Sequence, residues 1–429
     1  MTAKSEQFKA SMSAVRQRIA TSKRHGTHNG FIDYYGCISV TNDLIEILEE
    51  AEKLTESGEY IHAYSVAALV LINLAKLASS ADDSAGGITN AMGYVKNVLE
   101  KVCSGVEYGS DEADYILSQS LTDSRNKAFD GWDEFAYNLL LPAARLATVK
   151  NAGKLYDVLN ELSVKLSQRE HSSWYLESDC LVRLAAINAV DGEQAACKFI
   201  DNNLKYDGVR RIAICEAINK GDYTRAEQLC LDKINNTDRD YHWMKEWYTL
   251  LFETYEKSGD KNKQTELAEN LLVGKRDTHY YTVLKKLLKE NGAWDAQYLS
   301  LLTNIGNSMP YNSYMYILSQ ENETQKLLEE VKKQPHCVFD YGKQLAAEFP
   351  EQVYMLCLDE IRKQAAEADN RVKYKKVCGA IKKLSGFGGA VEAENVIVEL
   401  KAQYPRRPAM TEELSALAVR LANPKAKKK

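Results

Sequence analysis

Three groups of side chains in this 429-residue sequence have types and spacings that could do chemistry. His25 and His28 stand three residues apart, the aspartates 82–83 are adjacent, and the pair 336–337 is a histidine followed by a cysteine. Histidines and aspartates can ligate a metal ion, and a histidine beside a cysteine can activate a thiolate for nucleophilic attack. Each group is therefore a candidate site to be weighed against a simpler structural role.

None of the three groups meets the full requirement of such a site. No third or fourth ligand stands near His25 and His28 at a recognisable spacing, so we interpret them as loop residues. The aspartates 82–83 precede a predicted helix in a Ser/Gly-rich loop, where carboxylates most often cap helices. Helical neighbours point about 100° apart, so His336 and Cys337 are not expected to pair. Since phosphate-binding, zinc-protease and nucleophile-elbow motifs are also missing from the sequence, we predict no metal site, no cofactor and no enzymatic activity.

The cysteines and the apolar segments indicate the compartment. The nine cysteines include no C-x-C or C-x-x-C spacing, which is typical of buried thiols in a reducing compartment. The longest apolar run, 63–78, contains Asn73 and Lys76 and is expected to be too short to cross a bilayer. Residues 1–6 lack the apolar core of a secretion signal. We therefore predict a cytoplasmic protein without a membrane partner.

The elements that would position these residues are helices. The stretch 212–234 places Ile212, Cys215 and Ile218 at helical spacing before a Lys-Gly-Asp turn at 220–222, and repeats the spacing afterwards. A single hairpin of this kind cannot bury its apolar stripe alone, so it is expected to stack on neighbours.

Turn residues recur along the second half of the chain at gaps of 29, 38, 33, 30, 28 and 38 residues. They are Gly192, Gly221, Gly259, Gly292, Asn322, Pro350 and Gly388. This range brackets the period of tetratricopeptide-like hairpins. The pattern predicts an all-α protein whose array forms a right-handed α-α superhelix, a tetratricopeptide-like solenoid of irregular helical hairpins.

Four segments are expected. An N-terminal helix, 5–23, with a loop at 24–30 precedes an N-terminal helical block over 31–150, in which 128–148 is predicted as a single helix. The helical-repeat superhelix follows over 151–410, and a C-terminal helix with a basic tail completes the chain over 411–429.

Aromatic residues are concentrated within the predicted array. Exposed Tyr and Trp side chains bury a large area on binding with few torsions to freeze, which favours a groove for a protein partner. The alternative is that they fill the wedges between neighbouring helix pairs. Two sets on the segment 241–255, Trp243 with Trp247 and Tyr248 with Tyr255, are expected on different faces, so that one lies in the core and the other in the groove. The candidate partner-binding residues are Tyr241, Trp243, Tyr248, Tyr255, Tyr280 and Tyr281.

The C-terminal end carries the positive charge of the chain. Residues 370–429 hold 14 Lys and Arg against five Asp and Glu, although the whole chain has a formal charge of −5. A charge run of this kind most often forms a solvated helix face, and the alternative is contact with nucleic acid or an acidic partner. The candidate residues for that contact are Arg371, Lys375, Lys376, Arg406 and Arg407.

Four short motifs carry a resemblance to a known family. They are YPRRPAMTEEL at 404–414, the Asn370-Arg371-x-x-Tyr374 motif, the Gly-Ala-Trp turn at 292–294 and the DDSAG loop at 82–86. Together they resemble the helical region that follows the zinc finger of bacterial SWIM zinc-finger proteins. The resemblance implies a helical-repeat region that engages nucleic acid or protein partners. Since the sequence has no C-x-C and no C-x-H, the zinc residues of that family have no counterpart here.

These observations favour one function and leave two alternatives. The periodic hairpins and the aromatic residues predict a non-catalytic scaffold that mediates protein–protein interaction. Association with nucleic acid through the basic end is the first alternative, and an enzyme with an unrecognised helical active site is the second.

Overall fold

The chain folds into α-helices that follow one another through short turns. The computed structural model describes residues 3–28, 30–167 and 173–422. The chain divides into two compact units, Met1–Ser258 and Gly259–Lys429. The division falls at Gly259, one of the turn residues.

In the first unit, a short antiparallel strand pair and four long helices come before a series of shorter helices. Its elements are α1 (Ala3–Gly26), β1 (Thr27–His28), β2 (Phe31–Ile32), α2 (Tyr34–Glu56), α3 (Tyr60–Ala78), α4 (Gly87–Gly105), α5 (Asp111–Asp123), α6 (Glu134–Ala143), α7 (Ala152–Ser167), α8 (Ser173–Val190), α9 (Glu193–Asn202), α10 (Asp207–Asn219), α11 (Tyr223–Asn235) and α12 (Tyr241–Ser258). Short 3₁₀ turns at Lys127–Phe129 and Ala144–Leu146 flank α6.

The second unit is helical throughout its described part, 259–422. Its elements are α13 (Lys261–Glu269), a π turn (Asn270–Gly274), α14 (His279–Glu290), α15 (Trp294–Ser308), α16 (Tyr311–Gln320), α17 (Thr324–Lys333), a 3₁₀ turn (Pro335–Cys337), α18 (Val338–Leu345), α19 (Pro350–Glu367), α20 (Arg371–Gly386), α21 (Ala390–Gln403) and α22 (Pro408–Ala422). Consecutive helices pack against each other, as expected of helical hairpins.

Six of the seven predicted turn residues lie between consecutive helices and the seventh, Pro350, begins a helix, which confirms the all-α hairpin array. The glycines among them have positive φ, for example +76° at Gly221 and +72° at Gly292. Asn322 adopts the same left-handed region with φ +55°, as asparagine does more readily than other non-glycine residues. Pro350 instead begins α19, where its missing N–H costs no helical hydrogen bond.

Replacing Gly292 by alanine is expected to lower the free energy of unfolding by about 1 kcal/mol, because a Cβ is disfavoured at positive φ. A new Cβ at Gly292 would meet no atom within 4 Å, so the effect isolates backbone strain from steric clash. Gly379 is the matched control: it lies within α20, also with no atom within 4 Å. Gly379→Ala is expected to raise the free energy of unfolding by roughly 0.5–1 kcal/mol. Urea denaturation followed by circular dichroism measures both changes, and shifts of the same sign in the two variants would contradict the explanation.

The N-terminal region differs from the prediction in two places. Helix α1 extends to Gly26, and residues 27–28 pair with 31–32 as strands, so the loop predicted at 24–30 is wrong. The single helix predicted over 128–148 is also wrong. Gly131, with φ +95°, lies before α6, and Pro142 lies near its end, where it lacks the N–H that would continue the hydrogen-bond ladder.

Helix α3 is the most apolar helix of the first unit. It is 19 residues long and has the length and composition of a membrane-crossing helix, so the expectation that this stretch is too short for a bilayer is wrong. Ala63, Tyr64, Leu71 and Leu74 are fully buried within the unit, where α3 packs against α2, α4, α5 and α6. Because neighbouring helices bury α3 on several sides, most of its side chains are apolar.

Candidate functional site

The six aromatic residues predicted to bind a partner are not equally accessible. Tyr255, Tyr280 and Tyr281 are buried, so a contact between these side chains and a partner on the surface is excluded in the folded chain. The hydroxyl of Tyr255 donates to Glu227 at 2.8 Å, which ties α12 to α11. Burial beside Glu321 raises the pKa of Tyr281 well above its usual value. The wedge-filling alternative therefore applies to these three tyrosines.

The other three predicted partner-binding residues, Tyr241, Trp243 and Tyr248, lie on α12. Trp243 is 68% exposed, whereas Trp247, one turn later, is buried with the Lys233 ammonium 5.5 Å from its ring centroid. Tyr241 and Tyr248 are half-buried and their ring centroids lie 5.5 Å apart. The expected division into one core pair and one groove pair is therefore wrong. Trp243 and Trp247 share a face of α12, but Trp243 lies at the beginning of the helix and is exposed, whereas Trp247 is buried.

The basic residues at the C-terminal end are partly used within the second unit. Arg407 donates to the carbonyl oxygen of Ala365 at 2.7 Å, and its guanidinium lies 4.3 Å from the centroid of the Tyr404 ring. Arg371 pairs with Glu412 and, at 3.0 Å, with Glu413. Hydrogen bonds to the last carbonyls of a helix satisfy groups that have no intrahelical partner, so Arg407 has a structural role.

The remaining predicted basic residues are exposed. Within the described range 173–422, Lys375 and Lys376 on α20 and Arg406 before α22 have no carboxylate at ion-pair distance. The basic tail predicted at 425–429 lies outside the described residues. Of the five predicted basic residues, these three therefore remain exposed and available to an acidic partner.

His336 and Cys337 approach each other, contrary to expectation. The Cys337 Sγ lies 3.5 Å from the His336 Nε2, because these residues form a 3₁₀ turn in which neighbouring side chains have a different spacing from those of an α-helix. Burial, together with the nearby Asp340 carboxylate, raises the pKa of the Cys337 thiol. A raised pKa disfavours the thiolate, which is the nucleophilic form of cysteine.

The histidines and the aspartates that could have bound a metal ion have different roles in the structure. His25 is an exposed residue in the last turn of α1, and the described residues contain no group of three or more His, Cys, Asp or Glu side chains that could hold a metal ion. Asp83 accepts the Ile88 N–H at 2.9 Å at the beginning of α4, and Asp82 accepts the Ser84 N–H at 3.0 Å. The predicted capping role is thus confirmed for Asp83, whereas Asp82 stabilises the loop before the helix.

Exposed aromatic rings gather at one end of the first unit, where the sequence analysis marks no site. We call Phe31, Tyr34, Tyr35 and Trp132 the N-terminal aromatic patch. All four side chains are exposed, and Tyr35 reaches 79% exposure. Three of them fall within five residues at the junction of β2 and α2, immediately after the Asn-Gly sequence at 29–30 that is typical of a β-hairpin turn. That short turn signal could have revealed the hairpin.

Three polar side chains meet in a cleft between α1 and the beginning of α3. The Ser11 Oγ lies 2.9 Å from the His62 Nε2, and the His62 Nδ1 lies 3.4 Å from the Glu59 Oε2. The imidazole is largely enclosed, with 13% of its side-chain surface exposed. Ser11 and His62 are 51 residues apart in the sequence, so no local spacing could have predicted their contact.

Comparisons with known proteins leave the family open. No family model matches the chain, and no curated protein matches its sequence. One solved structure, a "circular tandem repeat protein with novel repeat topology and enhanced subunit contact surfaces", is similar at 14% sequence identity over 97% of this chain and 95% of that one, with a TM-score of 0.15. At so low a TM-score the two structures do not define a common arrangement. The class of the protein therefore follows from its own helices: it is an all-α protein built from successive helical hairpins.

Proposed function

We propose that this protein is a helical-repeat interaction protein that binds a protein partner through the N-terminal aromatic patch. The observation that carries the proposal is the exposure of three aromatic side chains within five residues, at 31, 34 and 35. Contiguous exposed apolar surface is uncommon on monomeric proteins and marks interaction sites. Tyrosine and tryptophan are also the residues most often found at the energetic centre of protein interfaces.

The two parts of the patch are held near each other although Trp132 is distant in sequence. The Trp132 indole N–H donates to the Ser79 hydroxyl at 3.0 Å, and the Ile32 N–H donates to the Ser80 carbonyl at 3.1 Å. The two sides of the patch are therefore anchored to neighbouring residues at the end of α3, one through Trp132 and the other through β2.

The rings are held in place before any partner arrives. Tyr34 and Tyr35 meet edge to face with centroids 5.2 Å apart. The Ile32 carbonyl accepts the Asp82 N–H at 2.8 Å, which fixes β2 against the loop before α4. Asp33 caps α2 by accepting the Gly36 N–H at 2.8 Å. A preorganised surface loses less conformational entropy on binding, which favours affinity.

The proposal is tested by replacing Phe31 and Tyr35 together with serine in the full-length chain. Affinity capture from extracts of the native host should identify a protein that the wild-type chain retains and the double variant loses. The dissociation constant for that protein, once purified, is expected to rise at least 30-fold, since truncating one anchor costs about 2 kcal/mol. Binding of the same protein with unchanged affinity by the double variant would overturn the proposal.

Three control variants locate the contact. Val149→Ser changes a fully exposed apolar residue elsewhere on the first unit and should leave affinity unchanged. Trp243→Ser tests the sequence-predicted surface on α12. A loss of binding confined to Trp243→Ser would move the site to α12. Salt-sensitive binding that is abolished by the double replacement Lys375→Glu and Lys376→Glu would assign the interaction to the basic end instead.

Three expectations from the sequence remain predictions, and the proposed function does not depend on them. They are the resemblance to the helical region of SWIM proteins, the cytoplasmic location and the association with nucleic acid.

A further inference from the structure

We propose that Ser11 is a nucleophile activated by His62, with Glu59 orienting the imidazole, in a site that hydrolyses uncharged or cationic carboxylic esters. This inference goes beyond the proposed interaction function and departs from the expectation of a non-catalytic chain. Its basis is the alignment of three side chains, the order in which their atoms face one another, and the cleft into which they open.

The order of the three groups is the one that base-assisted attack requires. The Nδ1 atom of His62 faces the carboxylate of Glu59 at 3.4 Å, which favours the tautomer whose Nδ1–H donates a hydrogen bond to the carboxylate. The Nε2 atom then presents its lone pair to the Ser11 hydroxyl at 2.9 Å. A nucleophile, a base within hydrogen-bond reach and a third group that orients the base together form the arrangement of serine hydrolases.

Two helices, α1 and α3, position the three side chains. Glu59 directly precedes α3, and His62 is the third residue of that helix, so the two lie on the same face. Ser11 projects from α1, and Phe8, one turn earlier, meets the imidazole edge to face at a centroid distance of 5.2 Å. Residues on helices keep their geometry better than residues on loops, and the Phe8 ring restricts rotation of the imidazole.

The cleft around these residues has a volume of about 580 Å³ and indicates the class of substrate. Phe8, Leu54 and Ile61 form apolar walls, which suit a short acyl chain. Glu59 and Glu112 are the carboxylates of the lining, and Glu112 accepts the Ile61 N–H at 3.4 Å. Two carboxylates and no cation in the lining disfavour an anionic substrate through like-charge repulsion. An uncharged or cationic ester is therefore the ligand that fits.

The reaction needs only the ester, water and the side chains of this cleft. The Ser11 oxygen attacks the ester carbonyl carbon while its proton moves to the His62 Nε2. When the carbon–oxygen bond of the leaving group breaks, the imidazolium returns that proton to the departing alkoxide. Water then repeats the sequence on the acyl-serine and releases the carboxylic acid. Gln7, one helical turn before Ser11, also lines the cleft, and its side-chain amide is the candidate N–H donor for the oxyanion.

The test uses the full-length chain and a fluorophosphonate probe, with peptide mapping by mass spectrometry. Ser11 is expected to be the labelled residue, and Ser11→Ala should abolish the label. His62→Gln should slow labelling at least 100-fold, since a positioned general base contributes about 10²–10⁴ in rate. Glu59→Gln should slow labelling less, because it alters the orientation of the base without removing it. Circular dichroism of each variant checks that it remains folded.

The control residue is Ser13, which is exposed on the same helix. Ser13→Ala should leave labelling unchanged. Equal labelling of Ser13 and Ser11, or a labelling rate at Ser11 that is unaffected by His62→Gln in a folded variant, would overturn the proposal. Hydrolysis of a quaternary-ammonium acetate ester and of p-nitrophenyl acetate should exceed that of a succinate half-ester. Faster turnover of the anionic ester would overturn the assigned substrate class.

Discussion

Replacing Phe135 by alanine is expected to lower the free energy of unfolding of the first unit by about 3–5 kcal/mol, the usual cost of removing a buried aromatic ring. The Phe135 side chain is 1% exposed and stacks on Phe129 with centroids 6.1 Å apart and planes inclined by 15°. Helix α6, which carries it, packs against α3, α4, α5 and α8. Because α6 is enclosed by these helices, a cavity left at Phe135 could collapse only partly.

The control for Phe135 is Phe31, the same residue type at the surface. Phe31→Ala should change the free energy of unfolding by less than about 0.5 kcal/mol, as is usual for exposed positions, although it belongs to the N-terminal aromatic patch. Urea denaturation gives the energies, and amide hydrogen exchange of peptides from α6 assigns the effect to the first unit. Similar costs for the two variants would contradict the burial of Phe135. The comparison also separates stability from binding, because Phe31→Ala should affect the second property alone.

Replacing Glu321 by alanine is expected to lower the free energy of unfolding of the second unit by roughly 3 kcal/mol. Glu321 holds the Lys285 ammonium through both carboxylate oxygens, at 2.6 and 2.7 Å, and 11% of its side chain is exposed. Lys285 also lies 5.4 Å from the centroid of the Trp294 ring. Removing one partner of an enclosed ion pair leaves the other charge uncompensated, which costs about 3–5 kcal/mol when burial is complete and less here because Lys285 is partly solvated.

The control for Glu321 is an exposed pair with similarly good geometry. Arg362 donates to both oxygens of Glu399 at 2.9 Å, but both side chains are more than 40% exposed. The nearby guanidinium lowers the pKa of the Glu399 carboxyl. Glu399→Ala should nevertheless cost less than about 1 kcal/mol, since solvent screens the pair. If thermal and urea unfolding gave equal costs for the two glutamate variants, desolvation would not be what distinguishes them.

The turns could be predicted from sequence because their physics is local. A glycine that ends a helix adopts a left-handed conformation at little cost, and the next helix begins with its own cap. At 220–222, Gly221 has φ +76° and Asp222 accepts the Arg225 N–H at 3.1 Å. Both features belong to residues a few positions apart, so the sequence contains everything needed to place the hairpin.

The faces of the helices were harder to predict, because burial depends on distant neighbours. In the second half of α10 the buried residues are Ala213, Ile214, Ala217 and Ile218, whereas Cys215, assigned to the apolar stripe, is exposed. The helix is rotated so that two alanines lie inward. A small side chain on an inward face carries little hydrophobic signal, so periodicity placed Ile218 correctly but also assigned the exposed Cys215 to the apolar face.

The candidate sites depend on long-range contacts in the same way. The N-terminal aromatic patch needs β2 and Trp132 to meet at the end of α3, and the Ser11 cleft needs α1 to cross the beginning of α3. A sequence pattern reports which residues share a helix face, but it does not report which two faces meet. The tyrosines at 255, 280 and 281 were predicted on a binding surface but are buried. An aromatic side chain suits a binding surface and a core equally well, so residue type alone does not distinguish the two.

The left-handed turns also bear on how this chain could vary in length. At Gly58, Gly109, Gly192, Gly221 and Gly292, the space into which a Cβ would project is free of atoms within 4 Å. Extra residues inserted there would enter solvent without displacing a packed side chain, and lengthening a surface loop costs only about 0.6 kcal/mol per doubling. Insertions and deletions among relatives should therefore concentrate at these positions. The same turns are the rational points at which to graft a tag or a reporter domain onto the folded chain.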